Sequence, residues 1–296
     1  MRFLPLLVKA PTTFFLLKIW LLAIYHIKIM SANKYEDATH EVNSRFLKMR
    51  KRIDIFLPPT YHQQPSHYFR LVIMNDGQDA KVLKIRENLD RLHLNQEIHP
   101  TILVAVHATQ RIQEYGTAGH PDYANRGNKA RTYTNFVVHE LIPFLTHHYR
   151  LIKTPDTTAI LGFSLGGLSA FDIAWSNPHI FGRVGVCSGS FWWRRHSAND
   201  DLAQIDRIMH DIVRNGYKKE GLKFWFEAGT NDETSDRNHN GIIDAIEDTL
   251  DLIAELILKG YDNQKDIKYV EVQGGEHNQR TWALVIPDFL KWAFGR

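Results

Sequence analysis

The run Ile160-Leu161-Gly162-Phe163-Ser164-Leu165-Gly166-Gly167 constrains this chain more than any other stretch. An apolar segment, Thr157 to Leu161, runs into a turn that carries a serine, and small residues (Gly166, Gly167, Ser169, Ala170) open the next segment. Together they predict a strand, a sharp turn and a helix. Such a turn is strained, so its flanks must be small, which accounts for glycine two residues before and two after the serine. The geometry lifts the Ser164 hydroxyl out of a sheet, above the positive end of the next helix. A plain strand-to-helix turn with a capping serine satisfies the same letters, so the rest of the chain has to supply the context.

Strand and helix alternate through the remainder. Arg52 to Leu57 alternates in polarity and stops at Pro58-Pro59. Tyr68 to Met74 reads as a second strand, ending at Asn75-Asp76-Gly77-Gln78-Asp79, with a helix after it to about Leu92. Thr101 to Val106 is a continuous apolar run, the mark of a buried parallel strand. A long loop, His107 to Lys129, precedes a helix from about Thr132 to Tyr149. Beyond the serine turn, Val184 to Cys187, Leu222 to Ala228 and Ile267 to Val272 read as strands. Asp201 to Val213, Asp244 to Lys259 and Gln279 to Phe294 read as helices, with Gly260 closing the second and Pro287 splitting the third. The alternation predicts an α/β fold, a mostly parallel central sheet with helices on both faces, over residues 31–296 as one domain.

Composition bounds the function. With 296 residues, 44% of them hydrophobic, the chain can fill one large core. The formal charge is +3, but residues 1–30 hold Arg2, Lys9, Lys18 and Lys28 and no acid, which leaves 32 basic against 33 acidic residues beyond them. A near-neutral body gives no reason to expect nucleic acid as a partner. The short basic stretch Lys48, Arg50, Lys51, Arg52 reads as the solvated face of a strand. Cys187, the single cysteine, sits in an apolar run and reads as a buried small hydrophobe. Residues 1–30 are apolar but broken by Lys18, His26 and Lys28, so they fall short of the roughly 20 residues a stable membrane span needs. They also lack the continuous block of a signal peptide, and Ser31-Ala32 is a poor cleavage site. The expectation is a start at Met30 and a cytoplasmic protein, with export or membrane association through the 1–30 leader as the alternative.

A serine hydroxyl needs an adjacent base, and histidine titrates in the right range. Of 16 histidines, His277 has the position: it follows the last predicted strand through Gly274-Gly275-Glu276 and precedes the final helix. The acid that orients it is expected after the strand Leu222 to Ala228, where Asp232, Glu233 and Asp236 are candidates and Asp232 stands directly at the strand end. Two backbone N–H groups must hold the oxyanion. Leu165, the residue after the serine, supplies one. The loop after Met74 supplies the other, through Gln78 with Gly77 as alternative, and Asp79 is read as capping the next helix. Trp192 and Trp193, after Ser188-Gly189-Ser190, are candidates for an aromatic pocket wall. Arg111, in the long loop, could bind an anionic substrate group or pair with Glu114.

The segment Asp236 to Glu247 matches a twelve-residue calcium loop. Oxygen side chains stand at Asp236, Asn238, Asn240, Asp244 and Glu247, the Ile242 carbonyl completes the set, and Gly241 provides the sharp turn. The expectation is one structural calcium ion and no organic cofactor. A metal-free loop of Asx turns leading into a helix is the plainer reading of the same residues.

These motifs together resemble the esterases of the enterochelin-esterase and feruloyl-esterase type within the α/β-hydrolases. The resemblance covers most of residues 40–296. It rests on Leu57-Pro58-Pro59-Thr60-Tyr61, Asn75-Asp76-Gly77, the Ser164 turn, Ser188-Gly189-Ser190-Phe191-Trp192-Trp193, Ala228-Gly229-Thr230-Asn231-Asp232, and His277 with Trp282. It implies hydrolysis of a carboxylic ester, small-molecule or glycan-linked, by Ser164, Asp232 and His277. An acyltransferase or a thioesterase would use the same triad. A non-catalytic calcium-binding or interaction module on the same fold is the rival of a different class.

Overall fold

A computed structural model describes residues 37–197 and 206–296 of the chain. The 1–30 leader, and the start of the helix expected from Asp201, lie outside the described residues. From Asp37 to Arg296 the chain forms one compact unit. Its strands are β1 (Ala38–Ser44), β2 (Met49–Phe56), β3 (Arg70–Met74), β4 (Thr101–Val106), β5 (Thr158–Phe163), β6 (Arg183–Cys187), β7 (Lys223–Asn231) and β8 (Ile267–Glu276). Its α-helices are α1 (Ile85–Leu94), α2 (Arg111–Glu114), α3 (Ala130–Phe136), α4 (Ile142–His148), α5 (Leu165–Ser176), α6 (Ile208–Asn215), α7 (Asp244–Leu258) and α8 (Gln279–Phe294).

The strands form one sheet in the order β1-β2-β4-β3-β5-β6-β7-β8. β2 runs antiparallel to β1 and β4, and every pairing from β4 to β8 is parallel. Parallel pairs need helical crossovers, and these cover both faces. Alternate residues of one strand therefore serve two cores. Val72 and Met74 of β3 face α1 and α8 through Leu89, Leu92, Ile286 and Phe289. Leu71 and Ile73 join Phe136, Leu168, Phe171 and Leu252 on the other side. Burial on both sides explains why β4 and β5 read as unbroken apolar runs, with all six residues of each buried.

Several expectations change. β1 was not foreseen; it reads as polar because it is an edge strand whose Thr39, Glu41 and Asn43 face water. The helix expected after Asp79 is a 3-10 turn at Gly77–Asp79 followed by α1. The helix expected from Thr132 is α3 and α4 joined by a π-helical turn, Val137–Leu141. Pro287 does not split α8, which runs unbroken through it. In the basic stretch Lys48, Arg50 and Arg52 face solvent as expected, but Lys51 does not: it is fully buried, and its Nζ lies 2.6 Å from the equally buried Glu114. Cys187 is buried as expected.

Candidate active site

Ser164 stands at the end of β5 with φ 55° and ψ −124°, a conformation that a non-glycine residue keeps only when its surroundings enforce it. The enforcement is backbone. Ser164 N–H donates to Cys187 O at 2.9 Å, and Ser164 O accepts from Gly167 and Leu168. A Cβ on Gly162 would meet the Gly166 carbonyl oxygen at 2.0 Å, so the approach of strand and helix requires glycine there. The hydroxyl is left over the N-terminus of α5, 3.4 Å from Ser190 Oγ. Leu165 N–H opens that helix and has no intrahelical acceptor.

Ser164, Asp232 and His277 line one cavity of about 360 Å³, with Leu165, Ser188, Gly189, Ser190, Trp192, Glu233 and Ala245. The parallel sheet makes this possible, since β5, β6, β7 and β8 all end at the same edge. His277 Nδ1 is 4.0 Å from Asp232 Oδ2, beyond hydrogen-bond reach; the imidazole is 40% exposed and the carboxylate is fully covered. Burial raises the Asp232 pKa, against the easing effect of the Ser188 hydroxyl and of His277. Burial also lowers that of His277, opposed by Asp232 and aided by Arg111, so the imidazole is neutral and able to accept a proton at neutral pH. Trp282 meets the His277 ring edge-on at 5.3 Å and stacks on Phe163.

The loop after β3 is held as firmly as the serine turn. Asp76 has φ 58° and donates its N–H to the Tyr115 hydroxyl at 2.9 Å. Its carboxylate is gripped by Arg111 Nε at 2.8 Å and by the other guanidinium arm at 3.0 Å. Tyr133 donates to Asn75, which donates to Gly166 O at 2.7 Å and so ties the loop to α5. With the Asp76 N–H engaged, the loop's oxyanion candidates are Gly77 and Gln78, whose N–H groups open a helical turn. A Cβ at Gly77 would lie 2.7 Å from the Ala105 backbone. Arg111 thus pairs with Asp76 rather than Glu114, which is committed to Lys51. Asp79 caps nothing; it accepts from Gln279 at 3.1 Å, joining this loop to α8.

Of the two tryptophans, Trp192 lines the cavity and Trp193 does not. Trp193 is fully buried and donates its indole N–H to His120 O at 3.1 Å. The Arg126 guanidinium lies 4.9 Å over the Trp192 ring and is itself paired with Asp122. Glu233, weighed with Asp232 as a candidate acid, lines the cavity as well. Glu227 was missed as a feature of this region, and a lone glutamate inside the apolar strand Phe224-Trp225-Phe226-Glu227-Ala228 was the available signal for it.

The loop 236–247 is closed by its own hydrogen bonds. Asp236 accepts from Asn240 and Gly241, and Asn240 Oδ1 from Ile242. The Asn238 and Asn240 amides both donate to Glu247, and Arg237 N–H to Asp244. Among the described residues, no group of three or more His, Cys, Asp or Glu side chains is arranged to hold a metal ion.

Residues 44–293 match the model of the family described as "Putative esterase". The chain belongs to this family, and with it to the carboxylic ester hydrolases of α/β-hydrolase fold. It is 21% identical over 250 residues to the uncharacterized protein YbbA of Bacillus subtilis, covering 83% of this chain and 93% of that protein. It is 26% identical over 192 residues to the iron(III) enterobactin esterase of Escherichia coli K12, covering 63% of this chain and 43% of that enzyme. The enterobactin esterase of Shigella flexneri superposes with a TM-score of 0.69 at 21% identity, over 88% of this chain and 59% of the other. The chain therefore spans only about half the length of these two enterobactin esterases. No described helix is long and apolar enough to cross a membrane.

Proposed function

We propose that this protein hydrolyses a small-molecule carboxylic ester through an acyl-enzyme on Ser164. The observation that carries the reading is the one cavity that Ser164, His277 and Asp232 all line. His277 takes the Ser164 proton as Oγ attacks the acyl carbon, and returns it to the leaving alkoxide. Asp232 stabilises the imidazolium that forms between the two events. The N–H groups of Leu165 and Gln78, both at helix openings, hold the oxyanion. Water then repeats the sequence and frees the acid. The Arg111–Asp76 pair keeps the Gln78 N–H in place, and Trp192 gives the cavity an aromatic wall suited to a flat substrate group. On p-nitrophenyl butyrate the wild-type protein should turn over and Ser164→Ala should not; equal rates in the two would end the reading.

A structural calcium ion at Asp236, Asn238, Asn240, Ile242, Asp244 and Glu247 belongs to the proposal through its sequence spacing. A half-turn of the Asn238 and Asn240 amides would present oxygens in place of the N–H groups now donated to Glu247. Any ion there would act on the loop that follows Asp232 and would take no part in the chemistry.

A further inference from the structure

Behind Asp232 lies a second buried carboxyl group that the reaction does not use. Glu227, in the middle of β7, is fully buried. None of the four carboxyl oxygens of Glu227 and Asp232 has a hydrogen-bond partner as the atoms stand. The Ser188 hydroxyl is near enough to both to ease the charge on each. Ser188 has φ 47°, its N–H donates to Glu227 O at 2.8 Å, and its Oγ accepts the Trp282 indole N–H at 2.8 Å.

Counting protons decides the state of the cluster. A hydroxyl has one hydrogen and two lone pairs, and an indole N–H is a donor only. Trp282 therefore occupies one lone pair of Ser188 Oγ. Two ionised carboxylates would compete for the single hydroxyl hydrogen, and the loser would be a buried charge eased only by a nearby backbone N–H, that of Ser188 for Glu227 or of Gly229 for Asp232. A protonated Glu227 removes the conflict: its O–H donates to the second lone pair, and Ser188 donates to Asp232. We propose that Glu227 is a positioning residue, a neutral carboxylic acid that acts through Ser188 to orient Asp232 and to keep the negative charge on the carboxylate beside His277.

The surroundings support this. Burial, with the Asp232 charge adding to it, pushes the Glu227 pKa up to about 8. The titratable group facing it from the neighbouring strands is Cys187 of β6, whose thiol pKa is raised by burial, which keeps it uncharged; Tyr269 of β8 is in register with Phe226, on the opposite face of the sheet. No bond is made or broken at Glu227; its proton stays in place through the cycle. When it ionises, Ser188 is drawn away from Asp232 and the hold on His277 loosens.

The inference rests on the triad reading, and the experiment separates the two. Hydrolysis of p-nitrophenyl butyrate is followed against pH in wild type, Glu227→Leu and Glu227→Gln. Wild-type kcat should fall with a midpoint near the Glu227 pKa of about 8. Glu227→Leu should cost on the order of tenfold in kcat at neutral pH with KM unmoved, the loss of one buried hydrogen bond to a charged group. Glu227→Gln, whose amide N–H donates in place of the carboxyl O–H, should recover most of that loss and abolish the alkaline fall. Infrared difference spectra, read independently of turnover, should show a protonated carboxyl C=O band in wild type at neutral pH that is missing from Glu227→Gln. An absent band, a glutamine variant as impaired as the leucine one, or an alkaline fall that survives in it overturns the proposal. If wild type leaves the ester intact, the ester-hydrolase reading fails, while the infrared band still decides where the proton sits.

Discussion

Arg111 shows how much a single side chain can carry. It grips Asp76 with two arms and donates to Phe163 O, so it clamps the loop after β3 onto the end of β5. Its charge also lowers the His277 pKa. Two consequences separate. Arg111→Gln should lower kcat about tenfold with little change in KM, because the clamp shapes the reacting state rather than ground-state binding. The same variant should move the acid limb of kcat/KM to higher pH. Sign follows from charge: the neutral imidazole is the active form, the cation disfavours its protonation, and removing the cation lets the proton bind at higher pH. A stopped pH series on p-nitrophenyl butyrate checks both, and an acid limb that stays put or moves down contradicts the assignment. Lys51 makes the opposite kind of case. Removing it alone, as Lys51→Met, leaves Glu114 charged and buried and should cost about 3–5 kcal/mol of stability by urea unfolding; a loss within error would mean the pair is not closed to water.

At the scale of elements, the legibility of each segment in the sequence depends on what that segment had to bury. β4 and β5 are sandwiched between two helical layers and announced themselves as apolar runs. The serine turn was readable because backbone crowding at Gly162 leaves no choice of residue. Asp232 and His277 were placed by their position at strand ends. β1, with one face in water, carried no such signature. Pro287 misled because α8 tolerates it within a helix packed by Ile286, Phe289 and Leu290. The Asp76 partner of Arg111 and the burial of Lys51 against Glu114 were not foreseen, because these partners come from other parts of the chain. That pairing is tertiary and leaves no local pattern. The 236–247 loop is the element whose role a melting experiment decides. Calcium should raise the melting temperature relative to chelator in wild type and not in Glu247→Gln, without altering which esters are cut. Identical melting in calcium and in chelator for wild type would leave the loop as a hydrogen-bonded lead into α7.

For the whole molecule, the buried acid behind the site links stability to pH. Glu227 titrates near its ordinary 4.5 when unfolded and at about 8 when folded. Between those values the folded state holds a proton that the unfolded state has lost, so stability falls as pH rises through this window and levels above it. Glu227→Gln should remove that slope, gaining on wild type steadily in urea midpoints from about pH 5 to about pH 8. A constant difference between the two across the range would mean the carboxyl is ionised throughout. All of this depends on one claim, that the fold presents Ser164 as a nucleophile activated by His277. The direct measurement is peptide mass spectrometry after treatment with a fluorophosphonate, which reacts with activated serines. The account predicts one adduct, on the peptide carrying Ser164, and its near-complete loss in His277→Ala at equal folded concentration. An unmodified Ser164 in folded wild-type protein, or labelling that is indifferent to His277, contradicts it.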